Sequence, residues 1–168
     1  MKLILVRHAI AEEQDEFART EQPDDLRPLT DAGRSRMKRA ARGLQQVADQ
    51  LDLIATSPLT RAVQTAEILG KAYAKVPVVV AESLAPHRHF DEFLTWLGQL
   101  DDVGTIAAIG HEPHMSSLAA WLLTGNGVSF FEMKKGSAML LDFDADLRPG
   151  GAKLRWFLTP AQLRALGD

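Results

Sequence analysis

MKLILVRHAIAEE, residues 1–13, holds a nearly continuous apolar run from Lys2 to Val6 that stops at Arg7 and His8. Successive apolar side chains, without alternation, fit a strand covered on both faces, as in the parallel sheets of α/β proteins. The run breaks too early for the core of a signal peptide, so it reads as a first strand ending on a cation and an imidazole. No stretch of the chain approaches the roughly eighteen apolar residues of a membrane span, and a cytoplasmic protein is the expectation.

Outward from this strand, apolar runs of similar length recur at Leu51–Thr56, Val76–Ala81 and Thr105–Ile109, with helical stretches between them. Thr30 to about Asp49 repeats Met37, Ala40, Ala41, Leu44 and Val47 at helical spacing behind the capping oxygens of Thr30 and Asp31. Ser57 and Pro58 read as an N-cap and a first-turn proline opening a helix to about Tyr73; Asp91–Leu100 and Pro113–Leu123 read as two more. The polar stretch Glu12–Asp25 is expected to be an exposed loop. Ser137–Asp144 and Lys153–Leu158 suggest a hairpin around Arg148, Pro149, Gly150 and Gly151, and Thr159 with Pro160 starts a short closing helix. Strands alternating with helices imply an α/β fold with a mostly parallel sheet.

At 168 residues the chain has the size of one domain, and 46% apolar with 24% charged residues is ordinary globular composition. A net charge of -3 supplies no general attraction for nucleic acid or anionic lipid. The absence of cysteine excludes disulfides, thiolate metal sites and a thiol nucleophile.

In an open parallel sheet, ligands bind beyond the carboxyl ends of the strands. Arg7 with His8, Ser57 to Arg61, and Gly110 with His111 each follow a different strand, so all converge on one edge. Two arginines, two histidines and two helix starts make a cation-rich, donor-rich pocket suited to a phosphoryl group, with no aspartate or glutamate central to it. Phosphoryl transfer asks a protein mainly to hold reactants in line and to neutralise charge on the equatorial oxygens, which guanidinium forks do. A neutral imidazole can attack phosphorus and carry the group as phosphohistidine, dividing one displacement into two. His8 is therefore the expected nucleophile, with Arg7 and Arg61 binding substrate and lowering the imidazole pKa by their charge. A cation in the first turn opposes the helix dipole, so Arg61 lacks a stability rationale there. His111 is expected to donate to a non-bridging oxygen as charge develops. An N-cap role accounts for Ser57 without any chemistry.

The segments LVRHAIAE (residues 5–12), SPLTRAVQTAEIL (57–69) and IGHEPHMSSLAAWL (109–122) resemble the histidine phosphatase superfamily, which also contains the phosphoglycerate mutases. Ala9 stands where a glycine is usual after the Arg-His pair. Leu26, Arg27, Pro28, Leu29 and Thr30, with Gly33 close behind, look like the small phosphohistidine phosphatases of the SixA type. The resemblance implies one domain over residues 1–168: a phosphoglycerate mutase-like, three-layer α/β/α sandwich with a mostly parallel central sheet and one antiparallel strand towards the C-terminus. It implies Arg7, His8, Arg61 and His111 as the catalytic phosphate pocket, Arg27 as a further substrate-binding residue, and no metal or organic cofactor. The implied partner is a phosphorylated protein, such as a histidine phosphotransfer domain, or a small phosphate ester, acted on by a monomer without nucleic acid or membrane.

Many relatives that act on phosphate esters carry an acidic residue, used as general acid, two positions beyond a leucine after the third strand. In Glu82, Ser83, Leu84, Ala85, Pro86 that position is Pro86. An alkoxide needs a proton to leave, whereas a phosphoramidate nitrogen is itself basic, so the site still suits phosphohistidine. Glu82, His87, His89 and Asp91 are the nearby candidates for a proton donor. Two other functions compete: a phosphatase for small phosphate esters or phosphoserine and phosphothreonine, and a module that binds phosphorylated partners without cleaving them. A mutase would need extra polypeptide to close over its intermediate. His111 and His114 have a spacing a metal could use, but neighbouring guanidinium groups would repel a cation. Arg34, Arg36, Lys38, Arg39 and Arg42 form a basic run on the first long helix, either a solvated face or a docking surface for an acidic partner. Phe93, Leu94, Trp96 and Leu97 recur at helical spacing and are expected in the core.

Overall fold

The computed structural model describes residues 1–74, 76–144 and 146–168. Its strands are β1 (Lys2–Arg7), β2 (Leu53–Thr56), β3 (Val78–Val80), β4 (Thr105–Gly110), β5 (Ala138–Phe143) and β6 (Ala152–Leu158), in the sheet order β3-β2-β4-β1-β5-β6. β1 to β4 pair in parallel, while β5 runs antiparallel to both β1 and β6, so β5 is the strand of opposite direction.

The unbroken apolar run of β1 is explained by its central place. Leu3 and Leu5 enter one core, Ile4 and Val6 the other, and all four are fully buried. Each such side chain contributes on the order of 2 kcal/mol of hydrophobic stabilisation. The helices are α1 (Gln14–Ala18), α2 (Asp31–Val47), α3 (Thr60–Ala72), α4 (Phe90–Leu97), α5 (His114–Thr124) and α6 (Pro160–Leu166). α2, α3 and α6 cover the Ile4 face and α4 with α5 the Leu3 face, giving three layers. α2 starts where Thr30 accepts a hydrogen bond from the Gly33 N–H at 2.9 Å, and it buries Met37, Ala40, Ala41 and Leu44. Gly43 lets α6 approach, because a Cβ there would collide with the Leu163 carbonyl. Phe93 and Leu97 are buried as expected, with Leu94 and Trp96 half-buried beside them.

Several boundaries differ from the sequence reading. Glu12–Asp25 is not loop throughout: α1 forms where Phe17 supplies a buried anchor, and Asp24–Leu26 make a 3-10 turn. The helix expected from Ser57 begins at Thr60 with Leu59 as its N-cap residue, so Ser57 does not cap it. β3 is shorter than the run Val76–Ala81, and its three valines are exposed at the sheet edge.

Candidate active site

The hydrogen-bond register sets three strand ends level. Arg7 pairs with Gly110 across β1 and β4, and Thr56 with Ile109 across β2 and β4. The ladder continues one residue further, with the His8 N–H on the Gly110 carbonyl and the Ser57 N–H on the Ile109 carbonyl, each at 3.0 Å. Gly110 leaves room for Met115 of α5, whose sulfur a Cβ would strike. His8 and His111 consequently face each other, ring centroids 5.1 Å apart, in a cavity of about 630 Å³ that Arg7, Arg27 and Arg61 also line. All five residues singled out in the sequence are brought together.

His8 is 5% exposed, and its Nδ1 lies 2.7 Å from the Ala9 carbonyl. A carbonyl only accepts, so Nδ1 carries the ring proton and Nε2 keeps its lone pair. The imidazole pKa falls to about 3, first because burial disfavours the cation; the Ala9 hydrogen bond works the other way, and Arg61 and Arg7 add smaller repulsion. The arginines, expected to lower it by their charge, do so, with desolvation the larger cause.

His111 is also buried and neutral, its pKa pushed down to about 2 by burial, with lesser repulsion from His8 and Arg61. Its Nε2 pairs with the Ser57 hydroxyl at 2.8 Å. If that hydroxyl donates, the proton sits on His111 Nδ1, a buried nitrogen with no partner among the described residues and so suited to an anionic oxygen. Ser57 therefore belongs to the site. Its sequence signal was masked by the plausibility of a cap.

Acidic residues also have a place here that the sequence did not reveal. Asp24 accepts from Arg27 Nε at 2.7 Å through one carboxylate oxygen and holds Arg61 at 3.2 Å through the other. Arg61 donates to the Asp24 carbonyl and Arg27 to that of Glu12. One carboxylate braces two guanidinium groups that would otherwise repel, and the hydrogen bond from Arg27 leads in holding its pKa below the usual range. Glu112 lines the cavity as well. It accepts from the Ser116 hydroxyl at 2.6 Å and from the Met133 N–H at 3.2 Å, while the Met133 carbonyl accepts from Arg7 at 2.6 Å. Glu112 thereby fixes the backbone that orients Arg7, and burial pushes its carboxyl pKa up. Adjacency to His111 was the one hint in the sequence.

Of the four expected proton-donor candidates, His87 lines the cavity beside Pro86, whereas Glu82, His89 and Asp91 do not. His114 turns away, packing on Phe90 with Nε2 at 3.1 Å from the Arg88 carbonyl. Among the described residues, no three His, Asp or Glu side chains gather into a metal-binding group. No helix there is long and apolar enough to cross a membrane.

The model of the histidine phosphatase superfamily (branch 1) matches residues 3–91, which include Arg7, His8, Arg27 and Arg61. The chain belongs to the histidine phosphatase superfamily. An uncharacterized protein of Picosynechococcus is 33% identical over 157 residues, covering 92% of this chain and 89% of the relative. Among solved structures, the protein histidine phosphatase SixA complexed with tungstate superposes with a TM-score of 0.81 at 23% identity, covering 97% of this chain and 99% of that one. The alpha-ribazole phosphatase of Shigella flexneri gives 0.71 at 18%, covering 95% and 97%. A phosphoserine phosphatase mutant of Entamoeba histolytica gives 0.66 at 18%, covering 96% and 98%. At these identities the likeness establishes the superfamily's fold.

A measurable consequence follows from the buried imidazole. In this superfamily member, His8 should remain neutral in an NMR titration down to about pH 4, where a solvent-exposed histidine titrates near 6.5. Because the unfolded chain binds that proton and the folded one resists it, stability should fall as pH drops from about 6.5 towards about 3. A folded-state His8 titration near 6.5 would contradict the assignment.

Proposed function

We propose that the chain is a phosphatase whose nucleophile is His8 Nε2 and whose substrate is phosphohistidine on a protein. The observation that carries this reading is the neutral, buried His8 with Nδ1 committed to Ala9, set among Arg7, Arg27 and Arg61. The guanidinium groups hold the equatorial phosphoryl oxygens and His111 donates to one of them. His8 Nε2 bonds to phosphorus as the bond to the leaving imidazole nitrogen breaks, and that nitrogen takes a proton from water or from His87. Water then attacks the phosphorus of phospho-His8. The P–N bond breaks back onto His8, releasing inorganic phosphate and a proton to solvent.

Two things support phosphohistidine over an ester. Pro86 lines the cavity at the position where many ester-cleaving relatives carry an acid, and a basic leaving nitrogen needs no dedicated one. The likeness to SixA along almost the whole of both chains is in keeping with it. The residues act within one domain spanning 1–168, and the chemistry calls on no metal or organic cofactor.

The test is a substrate panel of a phosphohistidine-bearing protein, p-nitrophenyl phosphate, phosphoserine and phosphothreonine, run with and without chelator. Phosphohistidine is expected to turn over at least about tenfold faster than any ester, unaffected by chelator. Faster ester turnover would replace the substrate class, and tight phosphate binding without release would make the protein a recognition module.

A further inference from the structure

The basic run of α2 does not enter the cavity, and its arrangement asks for a separate explanation. Arg34, Lys38 and Arg42 stand one helical turn apart on α2 and face Glu67 and Lys71 of α3 across a groove of about 360 Å³, with Ile68 and Ala72 on its apolar side. Among the described residues none of these four cations forms an ion pair, whereas Arg39 of the same helix is bound to Asp168. Like charges at i and i+4 repel on a helix, so the stripe works against the stability of α2. Four cations against one carboxylate, in a chain of net charge -3, make this groove a local exception to the protein's electrostatics.

The groove is also tied to the site. α3 carries Arg61 in its first turn, α2 follows directly on Arg27–Thr30, and the Gln64 side chain accepts from the Leu29 N–H at 2.8 Å. Both walls therefore start at the cavity, and Ile68 lies about 10 Å along α3 from Arg61 at 1.5 Å per residue.

We infer that the α2–α3 groove docks an acidic helical segment of the protein that presents the phosphoryl group to His8. The inference rests on the reading of the substrate as a phosphorylated protein. Carboxylates one turn apart on a partner helix match the pitch of Arg34, Lys38 and Arg42, and an apolar residue between them meets Ile68 and Ala72. A chain of net charge -3 supplies no general attraction for a nucleic acid, so an acidic protein segment is the better fit.

The variant Arg34→Glu/Lys38→Glu/Lys71→Glu reverses the groove and spares Arg42, whose Nε donates to the Gly167 carbonyl at 3.0 Å. The probe is a synthetic helical peptide with glutamates at i, i+4 and i+8, followed by fluorescence anisotropy at low and moderate salt. Wild-type protein should bind it and lose affinity with salt, and the variant should bind at least about tenfold more weakly. Turnover of p-nitrophenyl phosphate should stay within about twofold in both, which separates docking from chemistry. Equal binding by the variant, no binding by wild type, or tighter groove-dependent binding of duplex DNA or phosphatidylglycerol vesicles would overturn the proposal. If the glutamate variant fails to fold, the corresponding triple glutamine variant carries the same comparison. Binding needs no catalysis, so peptide capture with absent phosphohistidine turnover would sink the substrate assignment, and the reverse would sink the docking site.

Discussion

His8→Ala is expected to abolish phosphate release, with a loss of roughly 10⁴-fold or more, the scale on which losing a nucleophile costs an enzyme that works through a covalent intermediate. Inorganic phosphate should still bind, because Arg7, Arg27, Arg61 and His111 reach the cavity from other attachments and remain. The pairing of lost turnover with retained binding is the informative part. A misfolded variant would lose both, and an enzyme using activated water directly would lose much less. Rapid quench of wild-type protein with labelled substrate should trap acid-labile phosphohistidine, absent from the variant. Substantial activity in His8→Ala, or label on another residue, would remove His8 from its role.

Arg61→Ala should instead weaken binding and chemistry together. Arg61 is 6% exposed, its guanidinium held by Asp24 through both carboxylate and carbonyl, with Nε left buried and unpartnered among the described residues. A charge-assisted contact is worth about 1.5 to 3 kcal/mol, so phosphate affinity should fall by roughly 10- to 100-fold. A cation that meets charge developing in the transition state supplies more, so kcat/KM is expected to drop by roughly 10³-fold. Stability should change less, since burial already disfavours that charge and Asp24 retains Arg27. Isothermal titration with phosphate and steady-state kinetics separate the two effects. Loss of kcat/KM with unchanged phosphate affinity would move Arg61 away from the bound anion.

What the sequence made legible follows from which forces act locally. The run Leu3 to Val6 announced a doubly covered strand because every residue in it is buried. Thr30 and Thr159 announced their helices because capping is a bond between near neighbours. Ser57 misled for the same reason: its local motif suited a cap, while its hydroxyl is taken by His111, 54 residues away. Asp24 was invisible because a carboxylate bracing Arg61 across 37 positions leaves no periodic trace. The charge of Arg7 beside His8 is written in the sequence and does lower the imidazole pKa; the larger cause, desolvation by the fold, is not.

The levelling of β1, β2 and β4 has a kinetic meaning as well. The imidazole pair is suspended from the interior of the sheet, and the carboxylate that braces Arg27 and Arg61 is hung on the long excursion between β1 and α2. Breathing of that excursion would slacken the grip on an anion without disturbing the attacking nitrogen. Mild denaturant should accordingly erode substrate affinity first, and extinguish turnover at saturating substrate only when the whole sheet melts.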